Sequence, residues 1–151
     1  MTRILLLIIG VSITMHCSMV AAEEYEPEDL IKYRKHSMNA IKHHNNAIRM
    51  ILKGKVSQED LNMHVKALGK LIKRVDNWFP EGSDFGETNA KDAIWDKPAK
   101  FRKANEDAVA ALKTFKAVIA DGDRAASAKA MKKFGKASCG SCHKKFKKKD
   151  D

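Results

Sequence analysis

The chain has 151 residues, enough for one domain, with 29 Lys and Arg against 19 Asp and Glu and a formal net charge of +10. A basic balance of this kind fits nucleic acid, an acidic protein partner or plain solubility. The lysines run through the whole chain without interleaved aromatics, which argues against a stacking platform for nucleic acid.

Residues 1–22 read as a secretory signal. Arg3 precedes an apolar run from Ile4 to Val11, and the small residues Val20-Ala21-Ala22 are followed at once by the acidic EEYEPED. The run is too short to span a bilayer, so no membrane span is expected in the mature chain. Cys17 would leave with the signal, and the bulky His16 before it argues against a lipid-anchored cysteine. Cleavage after Ala22 sends residues 23–151 to the periplasm and leaves Cys139 and Cys142 as the two remaining thiols in an oxidising compartment. Export is a second argument against nucleic acid.

Four stretches then show helical spacing, and none shows the alternation of a strand. The first runs from Pro27 to Lys53, opens on Pro27-Glu28-Asp29 and ends at Gly54. Its inner stripe reads Leu30, Arg34, Met38, Ile41, Asn45, Ile48 and Leu52. The second opens at Ser57, with Asp60 three residues on as in a capping box. It carries Leu61, Val65, Leu68, Ile72 and Val75 inward and stops at Trp78-Phe79-Pro80. An irregular segment, EGSDFGETNAKDAIWD, separates it from the third helix, which starts near Pro98 with Phe101, Ala108, Leu112 and Phe115 on one face. Asp121-Gly122-Asp123 is a stop followed by a new N-cap. The fourth helix carries Ala128, Met131, Gly135, Ser138 and Cys142 along one stripe. Two short links and one long crossing fit an all-α antiparallel four-helix bundle. The alanine-rich third and fourth helices leave room inside it for a cofactor.

The tail KASCGSCHKKFKKKD sets Cys139, Cys142 and His143 together. Structural zinc sites take four ligands, commonly as two pairs, and no second pair exists in the mature chain. A thioredoxin-like pair starts a helix after a strand, and a plain disulfide would strain a helix for little gain. C-x-x-C-H as a covalent haem c anchor accounts for each part. Residues three apart on a helix share a face, so both thiols reach the vinyl edge of one porphyrin. His143, next to Cys142, then brings its imidazole to the iron. His36, His43, His44 and His64 read as surface residues; His43 and His44, being adjacent, point in different directions.

Three segments in the right order make the mature chain resemble the class II cytochromes c, the group that includes cytochrome c′. PEDLIKYRKHSM resembles the first-helix opening, FPEGSDFGETNAKDAIW the crossover FPxGT…AxxxIW, and GKASCGSCHKKFKKK the haem helix. The resemblance implies thioether bonds at Cys139 and Cys142, His143 as the proximal iron ligand, and Arg34 beside the haem propionates. Thr88 and Asn89 fall in the crossover near those propionates, while Phe79 and Trp95 are expected only to pack. Met38 falls where cytochrome c′ carries an apolar residue, which leaves its iron five-coordinate and open to small gases. In low-spin relatives the same place holds methionine, whose sulfur ligates iron. On that basis the sequence is read as a one-electron carrier, not an enzyme, with one His/Met-ligated low-spin haem c. Its expected partners are redox proteins, acidic ones drawn to the lysine tail, and it is expected to be a monomer or homodimer. The alternative is a five-coordinate protein binding nitric oxide or carbon monoxide. The relatives' arginine four residues after the histidine is replaced here by Lys147, with Phe146 where tyrosine is common.

Overall fold

In the computed structural model of the chain, which describes residues 25–149, α1 (Pro27–Leu52) opens as its sequence dictates. The expected signal peptide and Cys17 lie outside the described residues. Pro27 occupies the first turn, where its missing N–H costs nothing, and Glu28 and Asp29 face the positive end of the helix dipole. Lys53 N–H bonds the Arg49 carbonyl, and Gly54 turns the chain away at φ +70°.

The second helix, α2 (Leu61–Ile72), starts three residues later than a capping box at Ser57 would place it. Ser57 Oγ accepts from Glu59 N–H at 3.3 Å, so it closes a turn ahead of the helix, and Asp60 at the N-cap makes no side-chain cap bond. After Ile72 the chain tightens into a 3-10 turn, Val75–Trp78. The crossover holds a further short helix that the spacing did not reveal, α3 (Ala93–Asp96). It is followed directly by α4 (Pro98–Ala120) with proline again in the first turn.

Asp123 caps the next helix as expected, its carboxylate accepting from Ala125 N–H at 2.8 Å and Ala126 N–H at 3.0 Å. The last helix of the bundle is built in three pieces: α5 (Arg124–Phe134), a π-helical turn (Gly135–Gly140) and α6 (Ser141–Phe146). The wide turn includes Cys139, and such turns often mark functional positions because they re-aim the side chains beyond them.

Among the described residues the architecture is helical throughout, with one isolated antiparallel bridge, Ala90 to Lys147. Helices α1, α2, α4 and α5–α6 form the four-helix bundle. No described helix is long and apolar enough to cross a membrane. The apolar interior is divided. One cluster joins all four bundle helices around Ile48, Leu68, Leu112, Phe115, Met131 and Phe134, with the Phe115 and Phe134 rings stacked 5.5 Å apart. The other lies under the crossover, where Ala90, Ile94, Phe101 and Phe146 pack together with Phe79, Trp95 and Cys142 at their margin.

Candidate functional site

The site is organised by the division of the core. Along α1, Arg34 lies against rings at the margin of the second cluster, while Ile41 already packs on the first. Along the last helix, Phe134 belongs to the first cluster and Cys142 borders the second. The intervening stretches, 34–41 and 134–142, each span roughly 10–12 Å of helix at 1.5 Å per residue. Met38 falls in one of them, Ser138 and Cys139 in the other, and none of the three belongs to either cluster.

Arg34 is 4 % exposed, and its guanidinium is satisfied by neutral oxygens. Nη1 donates to Ser83 Oγ at 2.9 Å and more weakly to the Trp78 carbonyl at 3.4 Å. Nη2 donates to Thr88 Oγ1 at 2.8 Å and to the Ser83 carbonyl at 3.0 Å. Its charge lies 4.7 Å from the centre of the Phe79 ring and 5.8 Å from that of Trp95. No carboxylate among the described residues pairs with it. Burial accordingly pulls its pKa below the usual arginine value. A buried cation held by dipoles and ring faces alone is a receptor for an anion, since taking a charge out of water is costly until an opposite charge joins it.

The crossover is held in place by the chain end. Lys91 N–H donates to the Phe146 carbonyl at 3.0 Å and Lys148 N–H to the Asn89 carbonyl at 2.7 Å. Phe146, buried edge-on against Phe101 with centroids 5.2 Å apart, anchors this strap three residues after His143. Trp95 Nε1 donates to the Pro80 carbonyl at 3.0 Å, closing the other end of the crossover. Asn89 therefore enters the site through its backbone, whereas Thr88 enters through its hydroxyl.

Cys139 and Cys142 are both free thiols and both half-buried, and His143 is exposed at the surface of α6. Burial pushes both thiols above their usual pKa; at Cys142 the neighbouring Cys139 adds to the rise. Metal-free thiols raised in this way carry little of the thiolate that a redox nucleophile uses. Ser138 Oγ, beside Cys139, is buried with no hydrogen-bond partner, as are Trp78 Nε1 and, on α1, Asn45 Oδ1. Native cores tolerate few such atoms, and each costs about 1–3 kcal/mol. Two thiols three apart, an imidazole beside them, a guanidinium awaiting an anion and orphaned donors fit a covalently held, acid-bearing macrocycle.

The structure thus brings Arg34 and Thr88 into contact and places Cys139, Cys142 and His143 on one short stretch. Met38 is half-buried on the inner stripe of α1. Sequence reasoning missed three contributors. Ser83 is fully buried and holds Arg34; its signal was its place at the end of FPEGS, on the hydroxyl position of the crossover pattern. Phe79 and Trp95 were expected only to pack, yet they provide the ring faces beside the guanidinium.

The comparisons agree with this geometry. The family model described as Cytochrome C′ matches residues 29–147. Cytochrome c′ of Rubrivivax gelatinosus is 33 % identical over 131 residues, 82 % of this chain and 98 % of its own. That of Pararhodospirillum photometricum is 29 % identical over 122 residues, 80 % and 97 % of the two chains. Among solved structures, the Rubrivivax gelatinosus protein superimposes with a TM-score of 0.72 at 29 % identity, covering 83 % of this chain and all of that one. A ferrous lysine-for-arginine variant of Alcaligenes xylosoxidans cytochrome c prime with bound NO gives 0.74 at 26 % identity, covering 85 % and 100 %.

These matches correct one expectation. The reading as a low-spin electron carrier, with Met38 as a second axial ligand, rested on a methionine at one position. The matched family model, the curated relatives and an NO-bound neighbour all carry the cytochrome c′ name, the branch with the open iron face. A half-buried thioether on a helix stripe is equally well suited to filling irregular space. Covalent haem c with its iron is the cofactor this family implies. By the extent of the match, over residues 29–147, the chain belongs to the cytochrome c′ family.

Proposed function

We propose that this protein binds small diatomic gases, nitric oxide and carbon monoxide, at the open face of a single haem c, and that it is not an enzyme. The observation that carries the reading is the divided core, with Arg34 lacking a carboxylate at one side and two half-buried thiols at the other. Cys139 and Cys142 would hold the haem by thioether bonds, His143 would ligate the iron, and Arg34 and Thr88 would receive a propionate, with Asn89 beside them. When bound, the haem supplies an iron with one vacant coordination position for the gas.

The chain's own residues do the remaining work. Arg34, fixed by Ser83 and Thr88, offers an oriented positive charge in a place too buried for free water to compete. Met38 lines the α1 side with a flexible, polarisable group that excludes water while yielding to a two-atom ligand. The strap from Asn89 and Lys91 to the end of α6 keeps His143 from moving with the chain terminus. Exposed Lys144, Lys145, Lys148 and Lys149 form a basic rim for an acidic redox partner. Residues 1–22 act as the export signal, so the mature protein begins at Glu23 in the periplasm.

Optical and magnetic spectra of the purified protein without added gas test this reading. Broad, high-spin bands in both oxidation states are expected. Sharp, split bands on reduction would mean six-coordinate low-spin iron and would overturn it.

A further inference from the structure

We infer that His44 and His64 form a second, non-haem metal site, one that takes a zinc-like divalent transition-metal ion and bridges α1 to α2. The two imidazoles come from different helices and face each other Nδ1 to Nδ1 at 2.9 Å, with ring centroids 5.2 Å apart and planes tilted by 59°. Both side chains are half-buried, although the sequence reads each as a surface residue.

The separation matches the chemistry of such an ion. Metal–nitrogen bonds of about 2.0–2.1 Å at a tetrahedral angle place two ligating nitrogens about 3.3 Å apart and their ring centres about 5.2 Å apart. The ring centres already stand at that distance. A small rotation of each ring opens the nitrogen pair by a few tenths of an ångström and turns both lone pairs towards one point. Without the ion, one Nδ1 carries a proton and donates to the other. On binding, that proton moves to the ring's own Nε2, so two neutral imidazoles accept the metal with no net proton released. Burial, followed by the nearby His64 and His43, lowers the His44 pKa from its usual value, which favours the neutral, metal-accepting form of that ring.

No group of three or more His, Cys, Asp and Glu side chains converges among the described residues, so water completes the sphere and the site exchanges its ion readily. Imidazole pairs favour zinc, copper and nickel over magnesium or calcium. The ion would tie α1 to α2 through side chains other than the thiols at residues 139 and 142.

Titrating the haem-loaded protein with Zn2+ by calorimetry tests this, since zinc undergoes no redox exchange with haem iron. One Zn2+ per chain is expected, with a melting temperature that rises with free zinc and an unchanged visible spectrum. His44→Gln and His64→Gln should each weaken binding at least about tenfold, because each removes the intramolecular second ligand. The double variant should be little worse than either, and His43→Gln should bind as the parent does. If either single variant fails to fold, the parent alone suffices: Zn2+ should protect His44 and His64 from imidazole acylation. Equal zinc affinity in parent and double variant, or no protection, would overturn the inference.

Discussion

Arg34 grips Ser83 twice, Nη1 to the hydroxyl at 2.9 Å and Nη2 to the carbonyl at 3.0 Å, joining α1 to the crossover 49 residues away. The planar fork of the guanidinium makes both bonds possible from one side chain. The result is a positive charge fixed in orientation without a carboxylate to neutralise it.

Replacing Arg34 by lysine keeps the charge but not the fork. Losing the oriented bonds to Ser83 and Thr88 should cost about 2–3 kcal/mol. Denaturant midpoints of the haem-loaded protein measure it. The loss should be smaller in haem-free protein, where no propionate is left behind.

Ser83→Ala removes a hydroxyl that donates to the Pro80 carbonyl at 2.8 Å and accepts from Arg34. Arg34 stays buried and loses one acceptor, while the Pro80 carbonyl keeps Trp95 Nε1, so a cost of about 1–2 kcal/mol is expected. Threonine at this position should recover most of it, as urea unfolding would report.

Phe146→Ala empties the second cluster and loosens the strap beside His143. A cost of about 3 kcal/mol is expected, since Phe146 is buried against Phe101 and Ile94. Hydrogen exchange at Lys91 and Lys148, whose amides bond across this strap, should accelerate more than exchange in α2.

Gly69 marks the close approach of α2 to α4. A methyl group there would meet Lys116 Nζ at 2.8 Å and Leu112 Cδ2 at 3.2 Å. Lysine can swing away, but Leu112 is held in the core. Overpacking of about 1–3 kcal/mol against a helix-propensity gain of about 1 kcal/mol predicts that Gly69→Ala destabilises by about 1 kcal/mol net. A thermal melt checks the sign.

Much of this molecule is legible in its sequence, and the illegible parts have a common cause. The ends of α1, the start of α4 and the Asp123 cap are set by local chemistry, namely proline, acids and glycine at particular positions. The cysteine pair and Arg34 likewise announce themselves, one by spacing and one as a charge on an apolar stripe. What stays hidden depends on where distant segments meet. Ser83 is one small polar residue in a loop until Arg34 reaches it. His44 and His64 are twenty residues apart on two helices, and only the packing of α1 on α2 brings their rings together. The π-helical turn leaves no mark in a stripe that fits an ordinary helix from Ala128 to Cys142. Met38 is a different case, because one residue type serves both as ligand and as filler, and the relatives of this chain speak against the ligand.

Carbon monoxide binding to the reduced protein tests the open iron face most directly. One carbon monoxide per haem and a large Soret shift are expected. Met38→Ala should bind the gas faster without changing the resting spectrum. A reduced spectrum that carbon monoxide leaves unchanged, and that turns high-spin only in Met38→Ala, would contradict the open face.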